Sequence, residues 1–161
     1  MNDRRTFLGL AGAGAASLWL LGRSSGAGAA LHFKVNHTPA QWRQLLGPER
    51  YAVLREASTE RPFSSPLNKE HRKGVFVCAG CDQPLFSSTT KFDSGTGWPS
   101  FWRPLTSRAV VTRSDRSLMM VRTEVLCSRC GGHLGHVFDD GPKPTGLRYC
   151  MNGLALKFRP A

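Results

Sequence analysis

Acidic residues are scarce in this sequence. Only 11 Asp and Glu stand against 22 Lys and Arg, which leaves a formal charge of +11 over 161 residues. An excess of that size raises the question of nucleic acid. Yet the chain has no dense basic run and no basic helix face; beyond residue 30 its lysines and arginines are scattered from Lys34 to Arg159. No nucleic-acid partner is expected, and the charge reads as solubility with loose attraction to acidic partners. Beyond residue 30 there is no second long hydrophobic stretch of the roughly 20 residues a bilayer span needs. Low-complexity linkers are also missing, and nothing repeats except a doubled Cys-x-x-C. A chain of this length and composition is expected to form one globular domain.

The first thirty residues stand apart. Arg4-Arg5-Thr6-Phe7-Leu8 leads into an apolar run ending in Leu18-Trp19-Leu20-Leu21, followed by Arg23 and the small residues Ala27-Gly28-Ala29. A basic start, an apolar middle and a small-residue end are the order of a cleaved signal, and the paired arginines are similar to a twin-arginine export signal. Residues 1–29 are therefore expected to be removed, leaving a domain over 30–161 that is periplasmic or otherwise exported. That domain is expected to be monomeric and without stable membrane association. An uncleaved membrane anchor is the alternative. Cleavage removes Arg4, Arg5, Arg23 and Asp3 and lowers the formal charge to +9.

Five cysteines remain to be explained. Cys78-Ala79-Gly80-Cys81 and Cys127-Ser128-Arg129-Cys130 form two Cys-x-x-C pairs. Two residues between thiolates allow a tight knuckle that grips one side of a tetrahedral ion, and two knuckles close the coordination sphere. Gly80 and Gly131-Gly132 are expected to give these turns their backbone freedom. With four thiolates there is no open position for substrate, so one structural zinc per chain is expected. The rival is a pair of disulfides, which an oxidising compartment would favour. Export in the folded state would let zinc load before oxidants reach the thiols.

Thr38-Pro39 caps a short helix that Gly47 stops, and Pro48 to Ala57 reads as a second one with Tyr51, Val53 and Leu54 on its apolar side. After that, helical period disappears. Val75–Val77, Ala109–Thr112, Leu118–Leu126, Val137-Phe138 and Leu147–Phe158 are β-branched or aromatic and separated by turn residues. Ser114-Asp115-Arg116 is a predicted hairpin tip. The expectation is a small, mainly antiparallel β-domain with helices at its N-terminal edge.

Cys150 lies in Gly146-Leu147-Arg148-Tyr149-Cys150-Met151-Asn152-Gly153. On a strand, Arg148, Cys150 and Asn152 share a face. A guanidinium two residues from a thiol favours the reactive thiolate, and Asn152 can donate to the sulfur or to a leaving oxygen. A buried structural cysteine is the bland alternative. His133 and His136 stand near enough in sequence to exchange protons with the thiol, or they are surface histidines. Trp98, between glycines, is either core or an indole presented to a sulfur-bearing methyl group.

Together these pieces resemble the B-type peptide-methionine sulfoxide reductase family from about Thr38 to Phe158. The carriers are Thr59-Glu60-Arg61-Pro62-Phe63-Ser64-Ser65-Pro66-Leu67, Lys91-Phe92-Asp93-Ser94-Gly95, Gly97-Trp98-Pro99-Ser100-Phe101, His133 through Pro142, and Gly146 to Cys150. The resemblance implies two antiparallel sheets with short N-terminal helices and reduction of the R epimer of methionine sulfoxide in oxidised proteins. It implies that Cys150 attacks the sulfoxide sulfur and that Trp98 cradles the methyl group. His133 and His136, with Asp140, Arg148 and Asn152, would organise the proton for the leaving oxygen. The product is a sulfenic acid on Cys150. Two departures stand out. Thr96 occupies the place where many members carry a resolving cysteine, so an external thiol is expected to act directly: thioredoxin-like, glutaredoxin-like or a small molecule. Gly153 stands where serine is frequent, with little effect on the chemistry expected. A non-catalytic, zinc-stabilised protein-binding module is the alternative from another class.

Overall fold

The computed structural model describes residues 31–161, and the expected signal in residues 1–29 lies outside them. Thr38 opens the first helix with a capping box. Its hydroxyl accepts from the Gln41 backbone N–H at 3.3 Å, and Gln41 Oε1 accepts from the Thr38 N–H at 2.9 Å. Two donors that a helix start leaves unpaired are thereby satisfied. Helix α1 runs Pro39–Glu56, and the non-helical backbone of Gly47 divides it into the two short helical segments that were expected. The stop at Gly47 is a kink within it. Gly47 has φ 71°, open to a residue without a Cβ, and Pro48 follows with no N–H to give. Trp42, Leu46, Tyr51, Val53 and Leu54 are buried along the helix.

Nine strands follow among the described residues: β1 Gly74–Cys78, β2 Pro84–Ser87, β3 Lys91–Phe92, β4 Ser100–Phe101, β5 Val110–Asp115, β6 Arg122–Cys127, β7 His133–Phe138, β8 Arg148–Met151 and β9 Leu156–Pro160. They form two antiparallel sheets, one ordered β2-β1-β9 and the other β3-β4-β8-β7-β6-β5. Phe76 of β1, Phe86 of β2 and Phe101 of β4 are fully buried. Phe86 stacks on Phe101 at 4.4 Å, and Phe76 meets Phe101 edge-on at 4.9 Å, so aromatic packing ties the sheets together.

The strand pattern differs from expectation in three places. Leu147–Phe158 is two strands in different sheets. Asn152 to Ala155, including a 3₁₀ turn at Gly153–Ala155, carries the chain from one sheet to the other. The hairpin tip lies further along, because Asp115 still pairs with Arg122 and a 3₁₀ turn at Ser117–Met119 precedes β6. Strands β2, β3 and β4 were not expected; β3 and β4 have two residues each, too few to show a period.

Candidate active site

Each Cys-x-x-C is the connection after a strand: Cys78 ends β1, and Cys127 ends β6 just before β7. The two knuckles are built alike. The Cys78 carbonyl accepts from Asp82 N–H and the Cys127 carbonyl from Gly131 N–H, both at 2.9 Å. Asp82 (φ 59°) and Gly131 (φ 69°) take the same left-handed conformation, so the first knuckle turns on Asp82 and not on Gly80. The four Sγ atoms lie within 4.8 Å of one another, with Cys78–Cys130 at 3.7 Å and Cys81–Cys127 at 3.5 Å. Thiolates about 2.3 Å from a tetrahedral zinc stand about 3.8 Å apart, so the cluster has the right size, whereas a disulfide needs about 2 Å. Contact with Cys127 foremost pushes the Cys78 and Cys130 thiols up and pulls Cys81 down, and contact with Cys130 foremost pulls Cys127 down. Sulfurs this close share their protons unless a cation neutralises them.

Cys150 lies on β8 between two neighbours. It faces Ser100 on β4 and His136 on β7. A bulge brings the histidines to one side: β7 carries an extra residue between the partners of Val125 and Leu126. Gly135 permits this approach, since a Cβ there would meet the Cys150 carbonyl oxygen at 2.1 Å. The His133 and His136 rings consequently lie 5.5 Å apart, although they are an odd number of positions, three, apart on one strand.

A pocket of about 120 Å³ is lined by Thr59, Trp98, Arg122, Gly135, His136, Phe138, Cys150 and Asn152. Four of the expected site residues therefore face it: Cys150, His136, Asn152 and Trp98. The other three stand behind. Arg148 is buried, stacks its guanidinium 4.4 Å over Phe138 and holds Asp140 through two 2.8 Å hydrogen bonds. His133 is buried with Nδ1 2.7 Å from Glu124, and its Nε2 has no protein partner. Asn152 is more committed than expected. Its oxygen accepts from Glu60 N–H at 3.1 Å and one amide N–H donates to the Leu134 carbonyl at 3.3 Å, so one hydrogen remains for the pocket. A larger groove of about 800 Å³ shares Thr59 but holds none of the expected site residues.

Burial foremost pushes the Cys150 thiol above its ordinary range, and the contacts of Thr96, Arg148 and Ser100 oppose it without overcoming it. The same contest lowers His133, where burial outweighs the Glu124 carboxylate, so the imidazole is neutral at neutral pH. Asp115 is held well below the usual carboxylate range by Ser117, first through its backbone N–H and then its hydroxyl, and by His136, whose Nε2 lies 2.8 Å away. Asp140 is held down by Arg148.

Residue reasoning missed the supports. Glu60 binds the site three ways: its backbone N–H donates to Asn152, its carbonyl accepts from Trp98 Nε1 at 3.1 Å, and its carboxylate accepts from the backbones of Gly153 and Leu154. Asp115, Glu124 and Arg122 complete the set. Nothing in the local sequence marks an acid that orients a histidine 21 residues away.

The SelR domain model matches residues 46–160. Proteins named peptide methionine sulfoxide reductase MsrB are similar over most of the chain. That of Agrobacterium fabrum is 56% identical over 127 residues, 79% of this chain and 94% of the relative. Those of Bradyrhizobium diazoefficiens (58%, over 79% and 91%) and Leptospira interrogans (52%, over 80% and 98%) extend the likeness.

Proposed function

The chain belongs to the SelR-domain family of MsrB-type peptide methionine sulfoxide reductases, and on that footing we propose that it reduces the R epimer of methionine sulfoxide in oxidised proteins, with Cys150 as nucleophile. The observation that supports this reading is a half-buried thiol opening into a small pocket walled by Trp98 and Phe138. That pocket is fit for a thioether methyl. Cys150 attacks the sulfoxide sulfur, and the sulfur–oxygen bond breaks as its oxygen is protonated from the His136 side. The oxygen then bonds to the cysteine sulfur as the new sulfur–sulfur bond breaks, so methionine leaves, Cys150 is a sulfenic acid, and two electrons have passed from the cysteine sulfur to the substrate sulfur. Two external thiols then return Cys150 to the thiol, releasing water and a disulfide. Thr96 cannot resolve the sulfenic acid, and the other four cysteines are committed to the cluster.

Cys78, Cys81, Cys127 and Cys130 would hold zinc, which supplies structural rigidity and no catalytic step. His133 serves as a neutral positioning group behind His136, Arg148 with Asp140 supports the thiolate, and the free Asn152 N–H meets the sulfoxide oxygen. Residues 1–29 are read as the signal that exports the folded protein.

Dabsylated methionine R-sulfoxide offered with a dithiol tests the proposal. The R epimer should be consumed and the S epimer left. Cys150→Ser should lower turnover at least about a thousandfold, as loss of a nucleophile does. Undiminished reduction by Cys150→Ser would overturn the assignment, and inactivity of the wild-type protein on both epimers would favour the binding-module alternative.

A further inference from the structure

Four polar groups stand in a row beside the catalytic sulfur. Thr96 Oγ1 lies 3.8 Å from Cys150 Sγ and 2.8 Å from Ser94 Oγ, and Ser94 Oγ lies 2.7 Å from Ser100 Oγ. At the far end, Ser100 donates to the Trp98 carbonyl at 3.1 Å. Each hydroxyl has a single proton to give, which makes the direction of the row all-or-none. With Ser100 giving its proton to Trp98, Ser94 must donate to Ser100, Thr96 to Ser94, and the Cys150 thiol to Thr96. A thiolate has nothing to donate. Thr96 must then turn its proton to the sulfur, Ser94 must donate to Thr96, Ser100 to Ser94, and the Trp98 carbonyl is released.

We propose that Thr96, Ser94 and Ser100 form a reversible hydroxyl row that supports Cys150 as thiol in one direction and as thiolate in the other, with Thr96 the positioning residue at the sulfur. The inference rests on the reading of Cys150 as nucleophile. A backbone carbonyl cannot take up the proton, so the row offers it no exit at the Trp98 end. Reversal couples the sulfur to the backbone of Trp98, the residue at the methyl end of the pocket.

The charged and titratable groups around Sγ are few. Arg148 with Asp140 stands on its own side, His136 with Asp115 across β7, and Arg122 at the pocket wall. From β4 and the preceding loop come the hydroxyls: Ser100 on β4 is buried, donates to the Trp98 carbonyl, and stands with Thr96 among the groups that favour the thiolate.

Iodoacetamide alkylation of Cys150 in the full protein, read by peptide mass across a pH series, tests the row without turnover. Thr96→Val keeps the shape and removes the hydroxyl. Its alkylation midpoint should rise by about one pH unit, making the reaction about tenfold slower at neutral pH. Thr96→Ser should keep the wild-type midpoint. Ser94→Ala should shift the midpoint upward alone yet add less than that shift to Thr96→Val, because Ser94 acts through Thr96 and otherwise only through its bond to Ser100. An unchanged midpoint in Thr96→Val, or a Ser94→Ala shift that adds in full, would overturn the row. The expected shifts in a protein inactive on sulfoxide would uphold the row and remove only the reductase reading.

Discussion

Burial of the Cys150 side chain works against the thiolate, and Thr96, Arg148 and Ser100 work for it; burial prevails. A thiol raised above its ordinary range is mostly protonated at neutral pH, so its reactivity climbs as pH rises through that raised value. In the free enzyme, alkylation of Cys150 should reach half its maximum above the pH expected of an exposed cysteine. Arg148→Ala should move that point higher still, since the guanidinium is one of the groups holding it down. A midpoint below that of an exposed cysteine, or one unmoved by Arg148→Ala, would contradict this balance. The sequence suggests the Arg148 contribution from spacing alone. It cannot show the larger opposing one, because burial is a property of what packs around the residue and not of its neighbours in the chain.

The crossing from β8 to β9 takes four residues and carries much of the site. Asn152 anchors to Leu134, while Gly153 and Leu154 donate to the Glu60 carboxylate, which burial foremost raises against those two bonds. Gly153 has no room for a side chain: a Cβ there would meet Ser65 Oγ at 1.9 Å and Ser65 Cβ at 2.6 Å. Ser65 itself caps the 3₁₀ turn at Pro66–Lys69 by accepting from Leu67 N–H at 3.2 Å. A serine placed at 153 should therefore cost stability, by about 1–3 kcal/mol for an overpacked site. Urea unfolding should show the loss, and Ser65→Gly in the Gly153→Ser background should recover part of it. An unchanged unfolding midpoint in Gly153→Ser would show that Ser65 moves aside freely. The clash joins positions 88 residues apart in the chain, which motif spacing does not reveal.

One knuckle extends from β1 of the smaller sheet and the other links β6 to β7 of the larger, so a single ion would clip the two sheets together. Structural zinc contributes on the order of 10 kcal/mol of binding energy that is also folding energy. Native mass spectrometry of protein recovered from outside the cytoplasm should find a chain beginning near Ala30 with one zinc and reduced thiols. Prolonged chelation should unfold it. A metal-free mass lowered by four hydrogens would mean two disulfides, and a full-length cytoplasmic chain would overturn export. The helix cap at Thr38, the two knuckles, the main strand segments and the family motifs are legible in the chain itself, because each depends on residues a few positions apart. Which of seven expected site residues face the pocket is another matter. Glu60, Asp115, Arg122 and Glu124 enter the site, and Leu147–Phe158 divides between two sheets, only through partners distant in sequence. Local preference sets what a segment can form; pairing register and burial, decided by the packing of the whole domain, set what each side chain meets.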